Sequence, residues 1–208
     1  MKVNIRNDTV EVEGYVNAVE RDSKPLYDRV FGRFIERICK GAFRKAIERN
    51  DDIHILLNHD QARDLGSTKR GNLNLEEDNI GLKARATITD PDVVTKARNG
   101  DLVGWSFGFN DLPECVERRE IDGMPHRIVR DLDLREVSIL DRNRSPAYEG
   151  TLIAARDDSE ALNIGESLYT DVEVTETRDE QPAEEVKEQS EIDYSVWENT
   201  ISELKGEM

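Results

Sequence analysis

Cysteine is scarce in this chain: Cys39 and Cys115 are the whole complement, too few for a disulfide framework or a zinc site built from thiolates alone. A reducing compartment is therefore expected. No run of 18 apolar residues occurs, so neither a transmembrane helix nor a membrane partner is expected. Met1 to Asp8 contains no apolar core, and secretion through a signal peptide is not expected either. Basic residues are missing where acidic ones gather. Residues 157–208 hold 17 of the 45 Asp and Glu but only 3 of the 29 Lys and Arg. Residues 1–156 are thus close to neutral, a poor electrostatic match for nucleic acid.

That asymmetry divides the chain. Residues 1–156 read as one folded domain. Residues 157–189 read as an acidic, disordered linker, because such composition cannot bury enough apolar surface to offset the entropy of ordering. Residues 190–208 form a tail in which Ile192, Val196, Ile201 and Leu204 fall near one helical face, with Tyr194 and Trp197 adding bulk. An amphipathic helix of this kind docks on its own body or on a partner.

Within the body, strand patterns dominate. Val10 and Val12, then Tyr15 and Val16, alternate loosely around Gly14. Ile53, Ile55 and Leu57 share one side of a strand that ends at His59. Residues 60–71, charged and with two glycines, read as a loop. Residues 72–88 read as a hairpin turning near Asp78-Asn79. Leu102 to Phe109 and Arg127 to Leu140 read as two further strands. Two short helices interrupt them. The first, within residues 41–50, places Ala42, Phe43, Ala46 and Ile47 on one face. The second is capped by Asp90, begins at Pro91 and stops at Gly100. Many strands, two short helices and no βαβ rhythm predict an α+β, mainly β domain.

Three groups carry candidate chemistry. His59 ends a buried-looking strand just before a loop, where catalytic groups are often presented. His54 alternates away from Ile53 and Ile55 and reads as a surface position; His126, after Asp-Gly-Met-Pro, reads as an exposed turn residue. Gly104-Trp-Ser-Phe-Gly108 matches a nucleophile-elbow pattern. However, Trp105, Phe107 and Phe109 alternate, so the segment continues as a strand and the elbow reading fails. Ser106 then points away from the aromatics, flanked on its own face by Gly104 and Gly108, whose missing side chains leave open space for a substrate backbone. A serine on a solvent face is the ordinary alternative. In Leu132-Asp-Leu-Arg-Glu136, strand alternation places Glu136 in one row with Leu132 and Leu134. A carboxylate held there needs a partner, either a histidine whose tautomer it fixes or an arginine such as Arg130 or Arg135. Asp131 and Asp133 point the other way. A Cys115–His126 pair lacks an orienting acid, and His54 and His59 fall on opposite faces of a strand, so no metal and no other cofactor is expected.

Seven short motifs in order then carry a resemblance: Lys-Gly-Ala-Phe (40–43), Leu-Leu-Asn-His-Asp (56–60), Leu-Gly-Ser-Thr (65–68), Asp-Asn-Ile-Gly-Leu (78–82), Ser-Phe-Gly-Phe (106–109), Leu-Arg-Glu-Val-Ser (134–138) and Ser-Pro-Ala-Tyr (145–148). Over roughly residues 10–155 the chain resembles the prohead (procapsid) maturation proteases of tailed bacteriophages. The resemblance implies a fold related to herpesvirus assemblin, a β-barrel surrounded by helices, here with an acidic C-terminal tail added. It implies a serine endopeptidase acting inside the procapsid in the host cytoplasm. Its substrates and assembly partners would be scaffold and the major capsid protein with its scaffolding extension, and it would also cut itself. By motif, His59, Ser106 and Glu136 take the catalytic roles. Leu140-Asp-Arg-Asn-Arg-Ser145 is more basic than the family's linker at that point, which makes Arg142 or Arg144 a candidate for holding an oxyanion. The tail would bind scaffold or capsid protein. Self-association into a homo-oligomer is left open by the sequence. The alternative is a non-catalytic capsid or scaffold component of the same fold, although a lapsed enzyme need not keep all three residues. A scaffold fused to a protease would need a longer tail.

Overall fold

The structure is a computed structural model that describes residues 1–28, 32–142 and 163–177. The chain divides into two units, Met1–Arg178 and Asp179–Met208, and the second lies outside the described residues. The expected helix at 190–208 and the Ser145–Tyr148 motif also lie outside them.

The described chain is mostly strand with two short helices, as the sequence predicts. The strands form three sheets. In the first, β1 (Lys2–Arg6) and β2 (Thr9–Ala18) make a hairpin and β7 (Leu73–Glu77) and β8 (Gly81–Ile88) another. The sheet order is β15-β1-β2-β8-β7, with β15 (Glu173–Thr177) parallel to β1. The second sheet runs β10-β11-β4-β3, from β3 (Leu26–Asp28), β4 (Gly32–Ile38), β10 (Val116–Ile121) and β11 (Met124–Val129). The third contains β5 (His54–Leu57), β6 (Asp60–Ser67), β9 (Leu102–Asp111), β12 (Leu132–Asp141) and β13 (Asn163–Ile164) in the order β13-β9-β12-β5-β6. There β14 (Leu168–Tyr169) also pairs with β9. Among the described residues none of these orders closes into a ring.

Helix α2 (Pro91–Arg98) has the predicted ends. The Asp90 carboxylate accepts from the Val93 N–H at 3.0 Å. Gly100, at φ 69°, lets Gly100 and Asp101 donate back to Ala97 and Lys96 at 3.1 and 2.8 Å, satisfying the last carbonyls. Helix α1 (Ala42–Arg49) lays Ala42, Phe43 and Ala46 into the core. Phe43 meets Phe107 edge-on, ring centroids 5.2 Å apart. Trp105, Phe107 and Phe109 are fully buried on one face of β9, as the alternation predicts. Each contributes roughly 1.5–3 kcal/mol by leaving water. Gly14 of β2 lies so close to the Trp105 indole that a Cβ there would press against it, which docks the first sheet on the third.

Four sequence expectations change here. Residues 60–71 are not all loop, since Asp60–Ser67 forms a polar edge strand beside β5. Residues 127–140 are two strands, broken at Arg130-Asp131. His126 lies on β11 and is only 7% exposed; its Nδ1 is 2.9 Å from the Met124 carbonyl and so donates to it. Residues 163–177, expected within a disordered linker, supply β13, β14 and β15, because the open edges of β9 and β1 offer backbone partners that local composition does not reveal.

Candidate active site

β5 ends at Leu57, and the chain leaves it through two left-handed residues, Asn58 at φ 57° and His59 at φ 61°. Such angles are uncommon outside glycine and hold only where surrounding bonds enforce them. Four bonds to β12 do so. Asn58 N–H donates to the Ile139 carbonyl at 2.9 Å. The Asn58 amide donates to Asp141 Oδ1 at 2.9 Å, and Asp141 N–H returns a bond to Asn58 Oδ1 at 3.0 Å. His59 N–H donates to Ser138 Oγ at 3.0 Å. The His59 ring ends up buried, its side chain 3% exposed.

Glu136 arrives by a different route from the one its sequence predicts. The β9–β12 register pairs Leu134 with Phe109 but Glu136 with Gly108, a bulge that leaves Arg135 over. Glu136 therefore does not continue the row of Leu132 and Leu134. The extra residue turns it to the opposite face, with Ser138 and Ser106, while Val137 and Ile139 face the aromatic core opposite Phe107 and Trp105. Its side chain is 4% exposed, a position that an ionised carboxylate tolerates only with both oxygens satisfied. Both are. Oε1 accepts from His59 Nδ1 at 2.5 Å, and Oε2 accepts from the Ser138 hydroxyl at 2.7 Å. The arginines weighed as partners go elsewhere, Arg130 to Glu117 and Arg135 to Asp133.

Ser106 lies directly across the strand pair from Ser138, fully buried. No hydrogen bond joins it to His59. Four buried side-chain polar atoms among the described residues lack a partner, and Ser106 Oγ and His59 Nε2 are two of them. Orphaned buried groups are rare enough to need a reason. The flanking glycines do not leave open space. A Cβ on Gly108 would overlap the Glu136 carboxylate, and one on Gly104 the Leu168 carbonyl. The protein itself fills both positions, and Gly108 is the notch that admits Glu136 over the strand.

The remaining candidates separate from this cluster. The His54 side chain is 42% exposed and tied to Asp64 at 3.1 Å, a surface position as expected. Asp131 binds Arg49 at 2.9 Å, and Asp133 lies 3.5 Å from Arg135. No hydrogen bond joins Cys115 to His126 among the described residues. The Arg142 side chain is engaged at the end of α2, its Nε donating to the Gly100 carbonyl at 3.1 Å; Arg144 lies outside the described residues. No group of three or more His, Cys, Asp or Glu among the described residues is placed to hold a metal. Sequence reasoning missed the roles of Ser138 and Asn58, and it read Gly108 as open space where the Glu136 carboxylate in fact sits. The signal for Ser138 was present, two residues after Glu136 on one strand face.

The cluster has the parts of a nucleophilic hydrolase. It presents a hydroxyl and, on the same face, an imidazole whose far nitrogen is bonded to a carboxylate. No characterised protein and no solved structure matches the chain. The sequence profile of the caudovirus prohead serine proteases matches residues 1–163. That match covers well over half of the 208 residues, and the chain belongs to the caudovirus prohead serine protease family.

Proposed function

We propose that this protein is an endopeptidase in which His59, Ser106 and Glu136 act as base, nucleophile and orienting acid. In the host cytoplasm, inside the procapsid, it cuts scaffold or the scaffolding extension of the major capsid protein, and itself. The observation that carries the reading is the state of the His59 ring. With Nδ1 donating to Glu136, Nε2 carries the lone pair, and it is buried without a partner, as is the Ser106 hydroxyl.

The chemistry follows from that tautomer. His59 Nε2 takes the Ser106 proton as Oγ bonds to the scissile carbonyl carbon, and the carbonyl π pair moves onto oxygen. Glu136 stabilises the imidazolium without taking its proton. The tetrahedral intermediate collapses, the C–N bond breaks, and Nε2–H protonates the leaving amine. Water, deprotonated by the same nitrogen, then hydrolyses the acyl-serine and restores the resting state.

The test is co-expression of the full chain with its capsid and scaffold proteins, wild type against Ser106→Ala, read as intact masses. Mass losses with wild type only are expected, and they identify the cut sites. The same losses with both variants would overturn Ser106 as nucleophile. Intact masses in both would favour a non-catalytic assembly component of the same fold.

A further inference from the structure

Ser138 is absent from the proposed triad, yet it touches two sides of it. Its hydroxyl proton is committed to Glu136 Oε2 at 2.7 Å, and its oxygen accepts the His59 backbone N–H at 3.0 Å. Ser138 is fully buried. A carboxylate has two oxygens and can swing about its terminal torsion. Holding Oε2 leaves Oε1 for His59 Nδ1 and fixes the carboxylate plane. A histidine on a left-handed backbone has few ways of keeping its N–H satisfied, and here Ser138 supplies the acceptor. One hydroxyl thus sets the direction of the acid and the placement of the base together. It does not compete as nucleophile, because its proton points at Glu136 and not at His59 Nε2.

We propose that Ser138 is a positioning residue for the His59–Glu136 pair, an inference that rests on the serine endopeptidase reading above. Removing the hydroxyl frees one Glu136 oxygen and the His59 N–H at once. A misplacement of about 1 Å can cost on the order of 10²-fold in rate.

The experiment uses the full chain and a peptide spanning a cut site found by intact mass. Ser138→Ala is expected to lower kcat about 10²-fold with KM nearly unchanged, and to move the limb of the pH–rate profile that reports His59. Ser138→Thr, which keeps the hydroxyl, is expected to restore the rate, whereas the near-isosteric Ser138→Val is not. Equal rates for the Thr and Val variants would overturn the proposal, as would a wild-type rate and pH profile in Ser138→Ala. The Thr/Val comparison decides the matter even where the Ala variant folds poorly. Ser106→Ala in the same assay keeps the two readings apart. If it retains activity, Ser106 is not the nucleophile and the proposed triad falls; if it alone is inactive, only the role of Ser138 falls.

Separate observations bear on access to Ser106. Residues 163–170 run antiparallel along β9, the strand that carries it. Asn163 and Ile164 pair with Phe109 and Gly108, Gly165 N–H donates to the Phe107 carbonyl at 3.0 Å, and Leu168 and Tyr169 pair with Trp105 and Gly104. The pairing lapses only at Glu166 and Ser167, abreast of Ser106, and both are buried. The Leu168 carbonyl occupies the place a Gly104 side chain would take, on the face Ser106 shares. Glu166 latches the segment, with Oε2 accepting from Arg21 at 2.5 Å and Oε1 from the Lys24 N–H at 3.1 Å. A nucleophile with no exposed surface cannot meet a polypeptide substrate.

We infer that residues 163–169 are a strap that must withdraw from β9 before Ser106 reacts, with Arg21–Glu166 as its latch. The probe is a fluorophosphonate, from which serine Oγ displaces fluoride. Wild-type full chain is expected to label at least tenfold more slowly than Glu166→Ala or Arg21→Ala, with Ser106→Ala unlabelled. Equal labelling of wild type and both single variants would overturn the latch. Label that persists in Ser106→Ala would instead indict the nucleophile.

Discussion

The two halves of the site are built differently although they face each other across one strand pair. In the His59 half nearly every polar atom is satisfied: Asn58, Asp141, Ser138 and Glu136 hold one another and the ring. In the Ser106 half the hydroxyl has no partner at all. The same residue type shows both behaviours, since Ser138 makes two hydrogen bonds and Ser106, opposite it in the register, makes none. The contrast teaches where preorganisation is placed. The groups that must keep one orientation through a proton transfer are tied down, and the group whose proton must leave is not.

The largest effect should come from breaking the tied half. Glu136→Gln keeps the shape but offers an amide N–H that can favour the wrong tautomer of His59. Cleavage is expected to fall about 10⁴-fold with circular dichroism unchanged, measured on the peptide from the mass experiment. A loss below tenfold would mean the 2.5 Å bond does not orient the base. Next in size is Gly108→Ala, which places a methyl into the Glu136 carboxylate. It is expected to cost about 1–3 kcal/mol by urea unfolding and to impair cleavage; Gly14→Ala, which crowds Trp105 instead, should cost stability with less loss of cleavage per kcal/mol.

A smaller effect tests the contrast itself. Ser106→Ala removes a buried hydroxyl that has no partner, so stability should rise by about 1 kcal/mol. Ser138→Ala leaves a carboxylate oxygen and an N–H unpaired, so stability should fall by about 1–3 kcal/mol. Thermal unfolding should show opposite shifts of about 2–4 °C per kcal/mol. Shifts of the same sign would mean the two serines do not differ as described.

Much of this was readable before folding, and the exceptions share a cause. The aromatic row of β9 and the caps of α2 are local patterns, with period two in one case and four adjacent residues in the other. His59, Ser106 and Glu136 stood out as residue types in strand contexts. The face of Glu136 did not, because the bulge at Arg135 belongs to the β9–β12 register and not to β12 alone. Ser138 was invisible as a hub because its acceptor role needs His59, 79 residues away, brought in by the parallel β5–β12 pair. Strands β13 to β15 were hidden by acidic composition, since their partners are backbone edges 54 to 171 residues earlier.

The smallest effect separates loss of fold from loss of function in acid. Asp131 sits outside both halves, where the last turn of α1 meets the start of β12. Burial pushes its carboxyl up, but the Arg49 guanidinium at 2.9 Å and the Leu132 N–H at 2.8 Å outweigh burial and hold it below the usual aspartate value. A carboxyl lowered by folding stabilises the protein above the unfolded-state value of about 3.9, and that contribution is lost as pH falls through the lower folded value. Arg49 is partly exposed, so the share is about 0.2–1 kcal/mol. Urea unfolding of wild type and Asp131→Asn is expected to differ by that amount at pH 6 and to converge as pH falls well below the unfolded-state value of about 3.9. A gap that persists there would mean the Arg49 pair is not its source. Cleavage measured on both proteins between pH 6 and 4, above the range in which the Asp131 contribution is lost, is expected to fall alike, so any loss of activity there has a source other than the Arg49–Asp131 pair.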